Sequence, residues 1–275
     1  MKFVRYEYKK DIHLGILDGL SVKKIKDFTS IYDIINKEFE LTDLCLDLDQ
    51  VKVLAPIVNS KRNLFCLGKN YKEHALEMKG KITEEVVIPS HPIYFSKVGS
   101  SVIGDGDIIT GHQGLSEQVD YEVELAIIIS KEGRNIKTDQ VRDYIFGYTI
   151  CNDISARDLQ KEHYQWLKGK SLDGFCPMGP IIVSFDEIPY PPDLKIQSFV
   201  NGELRQDSRT SQLIFDIDTI VSDLSKGMTL YPGDIILTGT PSGVGMGYNP
   251  PKYLTSGDVI RCSIESIGQL TNTLK

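Results

Sequence analysis

The sequence has few cysteines and few histidines, and neither residue type is clustered. The cysteines are scattered, with no C-x-x-C pair: Cys45, Cys66, Cys151, Cys176 and Cys262. An odd, unpaired set predicts reduced thiols in a cytoplasmic protein and argues against a disulfide framework or a zinc site. The histidines are equally dispersed and no H-E-x-x-H motif occurs, which also argues against zinc.

Long apolar runs and clustered positive charge are also absent. No apolar stretch is long enough to span a bilayer, and the first residues lack the apolar block of a signal peptide. The formal net charge is -7 and no Lys/Arg stripe occurs, which argues against nucleic acid as a partner. We therefore expect a cytoplasmic protein that binds neither nucleic acid nor membrane.

Several common catalytic and nucleotide-binding motifs are missing. There is no G-x-S-x-G elbow and no cysteine beside an obvious histidine partner, so covalent acyl transfer is not supported. Lys170-Ser171 fails as a phosphate loop because Tyr164 occupies the upstream glycine position. The glycine-rich segment 238–245 lacks G-x-G-x-x-G spacing and a following helix, which argues against dinucleotide binding.

The patterns that are present indicate a β-dominated α+β fold. Short strands are predicted throughout, including Lys2–Tyr8, Ile93–Lys97 and Lys195–Val200. Few helices and no internal repeat accompany them, which is typical of a two-sheet fold with helical insertions. Asn201-Gly202 between two strands predicts a hairpin, because both residues tolerate positive φ.

The 275 residues allow one large domain with a small appendage. We predict a small β-rich N-terminal domain over residues 1–58 and a catalytic domain over residues 59–275. The segment from Gly80 to Pro92 carries charges, two prolines and little periodicity, and it is predicted to be a loop.

The segment from Gln118 to Ile129 alternates like a strand and ends in an apolar run. In one strand Glu122 and Glu124 point to the same face. Two carboxylates on one face repel each other and are costly to bury without a cation between them. A divalent cation would resolve the conflict, whereas the alternative is an exposed acidic strand end.

Two further groups of polar residues have helical spacing. His74 and Glu77 are three apart and could hydrogen-bond on one helix face, although a surface pair has the same spacing. If the segment from Cys151 to Gln160 is helical, Asp153, Arg157 and Gln160 stack on one face. The alternative is an ordinary Asp–Arg helix pair and a solvated glutamine. The carboxylates Glu122, Glu124 and Asp153 would suit Mg²⁺ or Mn²⁺, with Ca²⁺ as an alternative.

Six blocks in register resemble the fumarylacetoacetate hydrolase family and cover about Asn63 to the C-terminus. The blocks are Gly68-Lys69-Asn70-Tyr71-x-x-His74-Ala75-x-Glu77, Asp120-Tyr121-Glu122-Val123-Glu124-Leu125, Asn152-Asp153-x-Ser155-Ala156-Arg157-Asp158-x-Gln160, Lys170-Ser171-x-Asp173-x-Phe175-x-Pro177-x-Gly179-Pro180, Val200-Asn201-Gly202-Glu203 and Gly233-Asp234-Ile235-Ile236-Leu237-Thr238-Gly239-Thr240-Pro241-x-Gly243-Val244-Gly245. The resemblance implies the family's mixed β-sandwich roll, with short helices and a lid helix.

The resemblance also implies roles at matching positions. Glu122, Glu124 and Asp153 correspond to the three protein ligands of a divalent metal. His74 and Glu77 correspond to a dyad on the lid helix, in which Glu77 orients His74 to activate water or move a proton. Donors for the substrate oxygens are implied at a further set of residues: Arg157, Gln160, Lys170 (also a catalytic candidate), Thr240 and Lys97.

The longer fumarylacetoacetases carry a C-terminal insertion that is missing between Gly245 and Pro250. The chain is more similar to the short bacterial members and to the acylpyruvase and oxaloacetate decarboxylase type. The implied activity is metal-dependent C–C cleavage of a small 2-oxo or 1,3-dioxo carboxylic acid through an enolate. Decarboxylation, hydroxymuconate isomerisation, ureidoglycolate cleavage and metal binding without turnover are the alternatives. A homodimer is expected by resemblance.

Overall fold

Strands account for most of the regular structure in the computed structural model, which describes residues 1–78 and 88–275. In chain order they begin with β1 (Lys2–Tyr8), β2 (Asp11–Asp18), β3 (Ser21–Ile25), β4 (Leu41–Asp47), β5 (Lys52–Leu54), β6 (Leu64–Gly68), β7 (Ile93–Lys97), β8 (Val102–Ile103), β9 (Ile108–Ile109), β10 (Val119–Asp120) and β11 (Val123–Ile129). They continue with β12 (Ile145–Asn152), β13 (Ser155–Ala156), β14 (Cys176–Ser184), β15 (Lys195–Val200), β16 (Glu203–Arg209), β17 (Ile235–Leu237), β18 (Val259–Ile264) and β19 (Gly268–Leu274).

The helices are short and lie between strands. The α-helices are α1 (Ile31–Ile34), α2 (Lys72–Glu77), α3 (Arg157–Glu162), α4 (Leu167–Lys170) and α5 (Ile217–Ser225). Segments of 3-10 helix lie at Leu48–Gln50, Gly99–Ser101, Thr138–Tyr144, Phe185–Glu187, Thr210–Gln212 and Gly245–Gly247. Within the two described ranges, no helix has the length and apolar character needed to cross a membrane. The predominance of strands confirms the predicted β-dominated α+β class.

The strands pair into a large sheet, a five-stranded sheet and a two-stranded ribbon. The large sheet has the order β4-β3-β2-β1-β14-β12-β11-β17-β6-β7, with β5 beside β1 and β8 beside β14. The five-stranded sheet has the order β16-β15-β18-β19-β9, and β10 pairs with β13. Because β1 pairs with β14 through Lys2↔Val183 and Phe3↔Ile182, the N-terminal strands extend the same large sheet. The division into domains 1–58 and 59–275 stays a prediction.

The strand β11 lies at the centre of the molecule and is buried along its whole length. Its alternate residues belong to two separate hydrophobic cores. Leu125 and Ile127 pack with residues of the five-stranded sheet, such as Ile260. Ala126 and Ile128 point into the other core, which includes Ile31 of α1. A strand that is covered on both faces explains the unbroken apolar run after Glu124.

The prediction of one continuous strand over residues 118–129 is wrong at Tyr121 and Glu122. The segment before the break pairs with β13 through Asp120↔Ser155, whereas β11 pairs with β12 and β17. The chain leaves one ladder and enters another within two residues. Glu122 therefore lies at the junction of two ladders instead of inside a strand.

The predicted helix face shared by Asp153, Arg157 and Gln160 is also wrong for Asp153. Residues 153–154 belong to no helix or strand, and residues 155–156 pair with β10, so the helix α3 begins only at Arg157.

Other local predictions agree with the structure. The predicted strands Lys2–Tyr8, Ile93–Lys97 and Lys195–Val200 have the observed bounds. Asn201 and Gly202 both have positive φ, at 50° and 82°, as the predicted hairpin requires. Of the loop predicted over Gly80–Pro92, residues 88–92 contain no helix or strand, and the rest lies outside the described residues.

The central position of β17 gives a testable stability difference. Ile236 is fully buried and pairs with Ile127 on one side and Phe65 on the other. Ile236→Ala should lower the free energy of unfolding by roughly 2–5 kcal/mol, because lost burial and a residual cavity both contribute. The control Ile108→Ala truncates a side chain that is 41% exposed, so it should lower the free energy of unfolding much less. If urea denaturation gave equal decreases in the free energy of unfolding for the two variants, this placement of the core would be contradicted.

Candidate active site and metal centre

Three carboxylates converge at the end of the β11–β12 ladder. Val123 pairs with Asn152 there, and Asp153 N donates to Glu122 O at 2.8 Å. The Asn152 side-chain oxygen also accepts from Glu122 N at 3.0 Å. These contacts place Glu122 and Asp153 opposite each other, with Glu124 next along β11. One carboxylate oxygen from each of the three lies within 4.8 Å of the others, and all three side chains are buried.

Lysine and arginine side chains are directed at two of these carboxylates. Lys170 Nζ donates to Glu122 Oε2 and to Asp153 Oδ2, both at 2.6 Å. Lys97 Nζ donates to Asp153 Oδ1 at 2.6 Å, and Arg157 Nη2 donates to Glu122 Oε1 at 2.6 Å. No lysine or arginine in the described ranges forms an ion pair with Glu124, which differs in this respect from its two neighbours.

The pKa shifts of Glu122 and Glu124 reflect the uneven distribution of positive charge around the carboxylates. Burial alone would raise the pKa of Glu122, but the charges of Arg157 and Lys170 hold it below its ordinary value. Burial raises the pKa of Glu124 well above its ordinary value, and the negative charges of Asp153 and Glu122 raise it further. Glu124 is therefore the carboxylate that most needs an additional positive charge.

Asp120 anchors the arginine of the cluster. Its Oδ2 accepts from Arg157 Nε at 2.9 Å and from Met246 N at 2.9 Å, and its Oδ1 accepts from Gly245 N at 2.6 Å. Burial opposes the charged form of Arg157, but the carboxylates of Glu122 and Asp120 outweigh it and raise the arginine pKa. Arg157 Nη1 donates to Gln160 Oε1 at 3.1 Å, so each guanidinium nitrogen contacts a protein acceptor.

A glycine-rich loop fixes the orientation of Glu124. Gly239 N donates to Glu124 Oε2 at 2.7 Å, and Gly239 has a φ of 99°, in the region that favours glycine. The next residue, Thr240, donates its hydroxyl to Val123 O at 2.9 Å and accepts from Gln206 Nε2 at 2.7 Å. The loop thereby attaches both to the metal-ligand candidate and to the strand that carries it.

His74 and Glu77 form the predicted dyad on α2. His74 Nδ1 and Glu77 Oε1 are 2.7 Å apart, which leaves Nε2 as the ring nitrogen available to a substrate. Gly243 N donates to the Glu77 carboxylate at 2.9 Å, so the loop after β17 orients the residue that orients His74. The His74 side chain is only 6% exposed.

His74 of the dyad, two of the carboxylates and several candidate donors line one cavity, and Glu77 lies behind His74 outside the set of lining residues. The lining residues are Leu67, Gly68, Lys69, His74, Met78, Phe95, Glu122, Glu124, Arg157, Gln160, Trp166, Lys170 and Thr240. The apolar members include Phe95 and Trp166, whose rings pack edge to face at 5.2 Å. The cavity therefore combines clustered charge with apolar walls, as small-molecule sites do.

Comparison with known proteins decides the family. Residues 63–275 match the family model for the fumarylacetoacetate (FAA) hydrolase C-terminal domain, and residues 1–56 match the Rv2993c-like N-terminal model. The chain belongs to the fumarylacetoacetate hydrolase family. The family predicted from the six sequence blocks is confirmed.

Curated relatives in this family include two named oxaloacetate tautomerases. The chain is 50% identical over 235 residues to oxaloacetate tautomerase YisK of Bacillus subtilis (strain 168), covering 86% of this chain and 77% of the relative. It is 44% identical over 229 residues to the mitochondrial oxaloacetate tautomerase fahd2 of Xenopus laevis, covering 82% and 69%.

Solved structures of the family share the whole architecture. A fumarylacetoacetate hydrolase from the psychrophile Exiguobacterium antarcticum has a TM-score of 0.90 and 42% identity, covering 100% of this chain and 99% of that chain. A 2-hydroxyhepta-2,4-diene-1,7-dioate isomerase from Mycobacterium marinum has a TM-score of 0.81 and 34% identity, covering 100% and 98%. The fold expected of the fumarylacetoacetate hydrolase family is confirmed.

The donor set of this family member fits a divalent metal. Around the cluster, four carboxylates face three cationic side chains, and all seven are buried: Asp120, Glu122, Glu124, Asp153, Lys97, Arg157 and Lys170. One negative charge is left uncompensated, next to three converging oxygens that suit a hard cation such as Mg²⁺ or Mn²⁺. The buried acidic cluster could therefore bind a divalent metal, and the metal itself and its identity stay predictions.

The structure brings together most of the predicted site residues but gives two of them other contacts. Lys97 is fully buried behind Asp153 and its ammonium also donates to Ile154 O at 3.0 Å. It is not among the residues that line the cavity. Arg157 lines the cavity, but its guanidinium group donates hydrogen bonds to Asp120, Glu122 and Gln160. Substrate roles for both residues stay predictions.

Sequence reasoning did not assign roles to Asp120, Lys69 or Trp166. Asp120 was part of the D-Y-E-V-E-L block, which was the available signal for it. Lys69 has a positive φ of 56° and lines the cavity, and burial lowers its pKa. Trp166 packs against Gly68 so closely that a Cβ there would lie 2.4 Å from its ring. No motif in the sequence indicated that contact.

Asp120 should be important for stability because it compensates a buried arginine. Asp120→Ala should lower the free energy of unfolding by roughly 3–5 kcal/mol, as expected when one partner of a buried ion pair is removed. The control is Asp193→Ala, which removes an exposed partner of Arg209 and should leave the melting temperature close to that of the unmodified protein. Similar melting temperatures for both variants would contradict the anchoring role.

Proposed function

We propose that the protein is a divalent-metal-dependent enzyme that interconverts the keto and enol forms of a small 2-oxo dicarboxylic acid, with oxaloacetate as the substrate. The observation that supports this most is the placement of His74 in the same cavity as Glu122 and Glu124. The names of the two oxaloacetate tautomerase relatives support the choice of reaction and substrate.

In this proposal Glu122, Glu124 and Asp153 would hold the metal ion, which would supply Lewis-acid stabilisation of negative charge on the 2-oxo oxygen. Lys170 bridges Glu122 and Asp153, so its ammonium keeps both carboxylates in position beside the cavity. Burial lowers the pKa of Lys170, but Asp153 and Glu122 outweigh burial and raise it, so Lys170 remains charged and acts through its positive field.

The substrate oxygens would be held by neutral and cationic donors of the cavity wall. Gln160 accepts from Arg157 through its amide oxygen, so its amide nitrogen is oriented as a donor. Thr240 also lines the cavity, but its hydroxyl proton is donated to Val123 O. Lys69 lines the same cavity, and its ammonium has the charge to bind the second carboxylate of a dicarboxylic acid. Phe95 and Trp166 limit the access of water, which strengthens these contacts.

His74 is the group that moves the proton. Glu77 fixes the Nδ1 side of the ring, and Nε2 accepts a proton from C3 of the keto acid. The C3–H electron pair forms the C2=C3 double bond, and the electrons of the C2=O bond move to oxygen. His74 then returns the proton to that oxygen, which gives the enol. No water is consumed, so atoms and charge balance within the substrate and one residue.

A second candidate is hydrolytic C–C cleavage of an acylpyruvate. It is favoured by the full-length match to the Exiguobacterium antarcticum fumarylacetoacetate hydrolase. The same dyad would activate water instead of removing a proton from carbon. Decarboxylation of oxaloacetate would need neither step, because the bond broken lies between C3 and the distal carboxylate.

The enol of oxaloacetate absorbs in the ultraviolet, so the proposed reaction is directly measurable. With Mg²⁺ or Mn²⁺ the protein should accelerate loss of the enol, and a chelator should remove this activity. His74→Gln should lower kcat by roughly 10²–10⁴-fold, the contribution of a general acid–base residue. The control His163→Gln alters an exposed histidine and should retain full activity.

Product analysis separates the candidates. Pyruvate formed from acetylpyruvate with acetate would favour hydrolysis, and pyruvate formed from oxaloacetate with CO₂ would favour decarboxylation. The proposed function is wrong if none of these acids reacts faster with protein and metal together than with the metal alone.

A further inference from the structure

The hydroxyl of Tyr71 is a buried polar group that the proposed chemistry does not use. Tyr71 is 1% exposed, and its hydroxyl makes no hydrogen bond within the described ranges. Burying an unpaired hydroxyl costs free energy that most proteins avoid. Tyr71 follows Asn70, which packs against the loop residue that binds Glu124, and this placement points to a function for the hydroxyl beside the metal-ligand candidates.

Tyr71 is firmly attached to the fold on its backbone side. The preceding residue, Asn70, donates to Thr238 O at 2.8 Å and to Phe215 O at 3.0 Å. Tyr71 O accepts from Ala75 N at 2.9 Å, which starts the helix α2. Tyr71 therefore connects the fixed loop after β17 to the helix that carries the dyad.

The same region touches Glu124. Gly239 donates to Glu124 Oε2, and a Cβ built on Gly239 would lie only 2.7 Å from Asn70 Cβ. Burial raises the pKa of Tyr71, and the negative charge of Glu124 raises it further, as expected for neighbouring groups. The Gly239 bond occupies Glu124 Oε2, and the other carboxylate oxygen of Glu124 can accept from a further donor.

We propose that Tyr71 is a positioning residue for the metal site, whose hydroxyl donates to a water molecule that in turn donates to Glu124. The Gly239 donor on Oε2 and this water held by Tyr71 would together fix the plane of the Glu124 carboxylate toward the ion. The contact would also link metal occupancy to the start of α2, and so to His74. This inference rests on the proposed metal-dependent function.

The test measures metal affinity instead of turnover. Mn²⁺ is titrated calorimetrically into the metal-free protein and into Tyr71→Phe, which keeps the ring and removes the hydroxyl. Losing a hydrogen bond to a charged group should raise the Mn²⁺ Kd about tenfold. Saturating Mn²⁺ should restore most of the kcat of Tyr71→Phe, because the dyad itself is intact.

The matched control is Tyr148→Phe. Tyr148 is fully buried, and its hydroxyl also makes no hydrogen bond within the described residues. The carboxylate that raises the pKa of Tyr148, after burial, is Asp218, which is not one of the three ligand candidates. Tyr148→Phe should therefore leave the Mn²⁺ Kd within about twofold of the unmodified value, since no cluster contact is lost.

A third variant, Glu124→Gln, separates failure of the inference from failure of the metal site. If Glu124→Gln weakens Mn²⁺ binding strongly while Tyr71→Phe binds Mn²⁺ as the unmodified protein does, the inference about Tyr71 is overturned and the metal site stands. If Glu124→Gln binds Mn²⁺ normally, the metal site itself is wrong, and the proposed function fails with it. A similar rise in Kd for Tyr71→Phe and Tyr148→Phe would indicate a general packing effect and would also overturn the inference.

Discussion

The balance of buried charge around Glu122, Glu124 and Asp153 is the constraint on which the rest of the site depends. Isolated ionised carboxylates are too costly to bury without partners. Lys97, Lys170 and the Arg157–Asp120 pair compensate most of the charge, and they do so from behind and beside the cluster. The remaining deficit is at Glu124, which faces the cavity. A divalent ion there would complete the balance and provide the chemistry of the site.

The backbone places these charges through a change of sheet. The chain leaves the β10–β13 ribbon at Asp120 and enters the large sheet at Val123. Glu122 lies in that gap and is bonded through its backbone to Asn152 and Asp153. The loop after β17 then contacts the cluster from a third direction, because Gly239 binds Glu124 and Gly243 binds Glu77. The candidate metal site and the dyad therefore share one supporting loop.

The sequence was sufficient for the class of fold and for the identity of the clustered residues. Glu122 and Glu124 were visible because two carboxylates precede an apolar run, and Asp153 because its block resembles a known family. The spatial arrangement of these three residues was harder to predict from the sequence. Alternation over residues 118–129 predicts one strand, because local propensity does not show that Val119 pairs with Ala156 while Val123 pairs with Asn152. Pairing of distant segments determines the break.

Local sequence patterns also do not predict the contacts of the cationic side chains. A helical Asp153–Arg157 spacing suggests an intrahelical pair, yet Arg157 binds Asp120 and Glu122 across the ribbon. Lys97 is the last residue of β7, and nothing in the local pattern indicates that its ammonium lies against Asp153. Both cases involve residues far apart in the chain whose proximity results from sheet order. Spacing patterns report neighbours on one element, and these residues lie on different elements.

The most direct measurement of the central claim is anomalous diffraction from crystals grown with Mn²⁺. Charge balance predicts an anomalous peak within coordination distance of carboxylate oxygens from Glu122, Glu124 and Asp153 together, and loss of that peak in Glu124→Gln. A peak at another position, or crystals with Mn²⁺ in the solution and none at these three residues, would contradict the account.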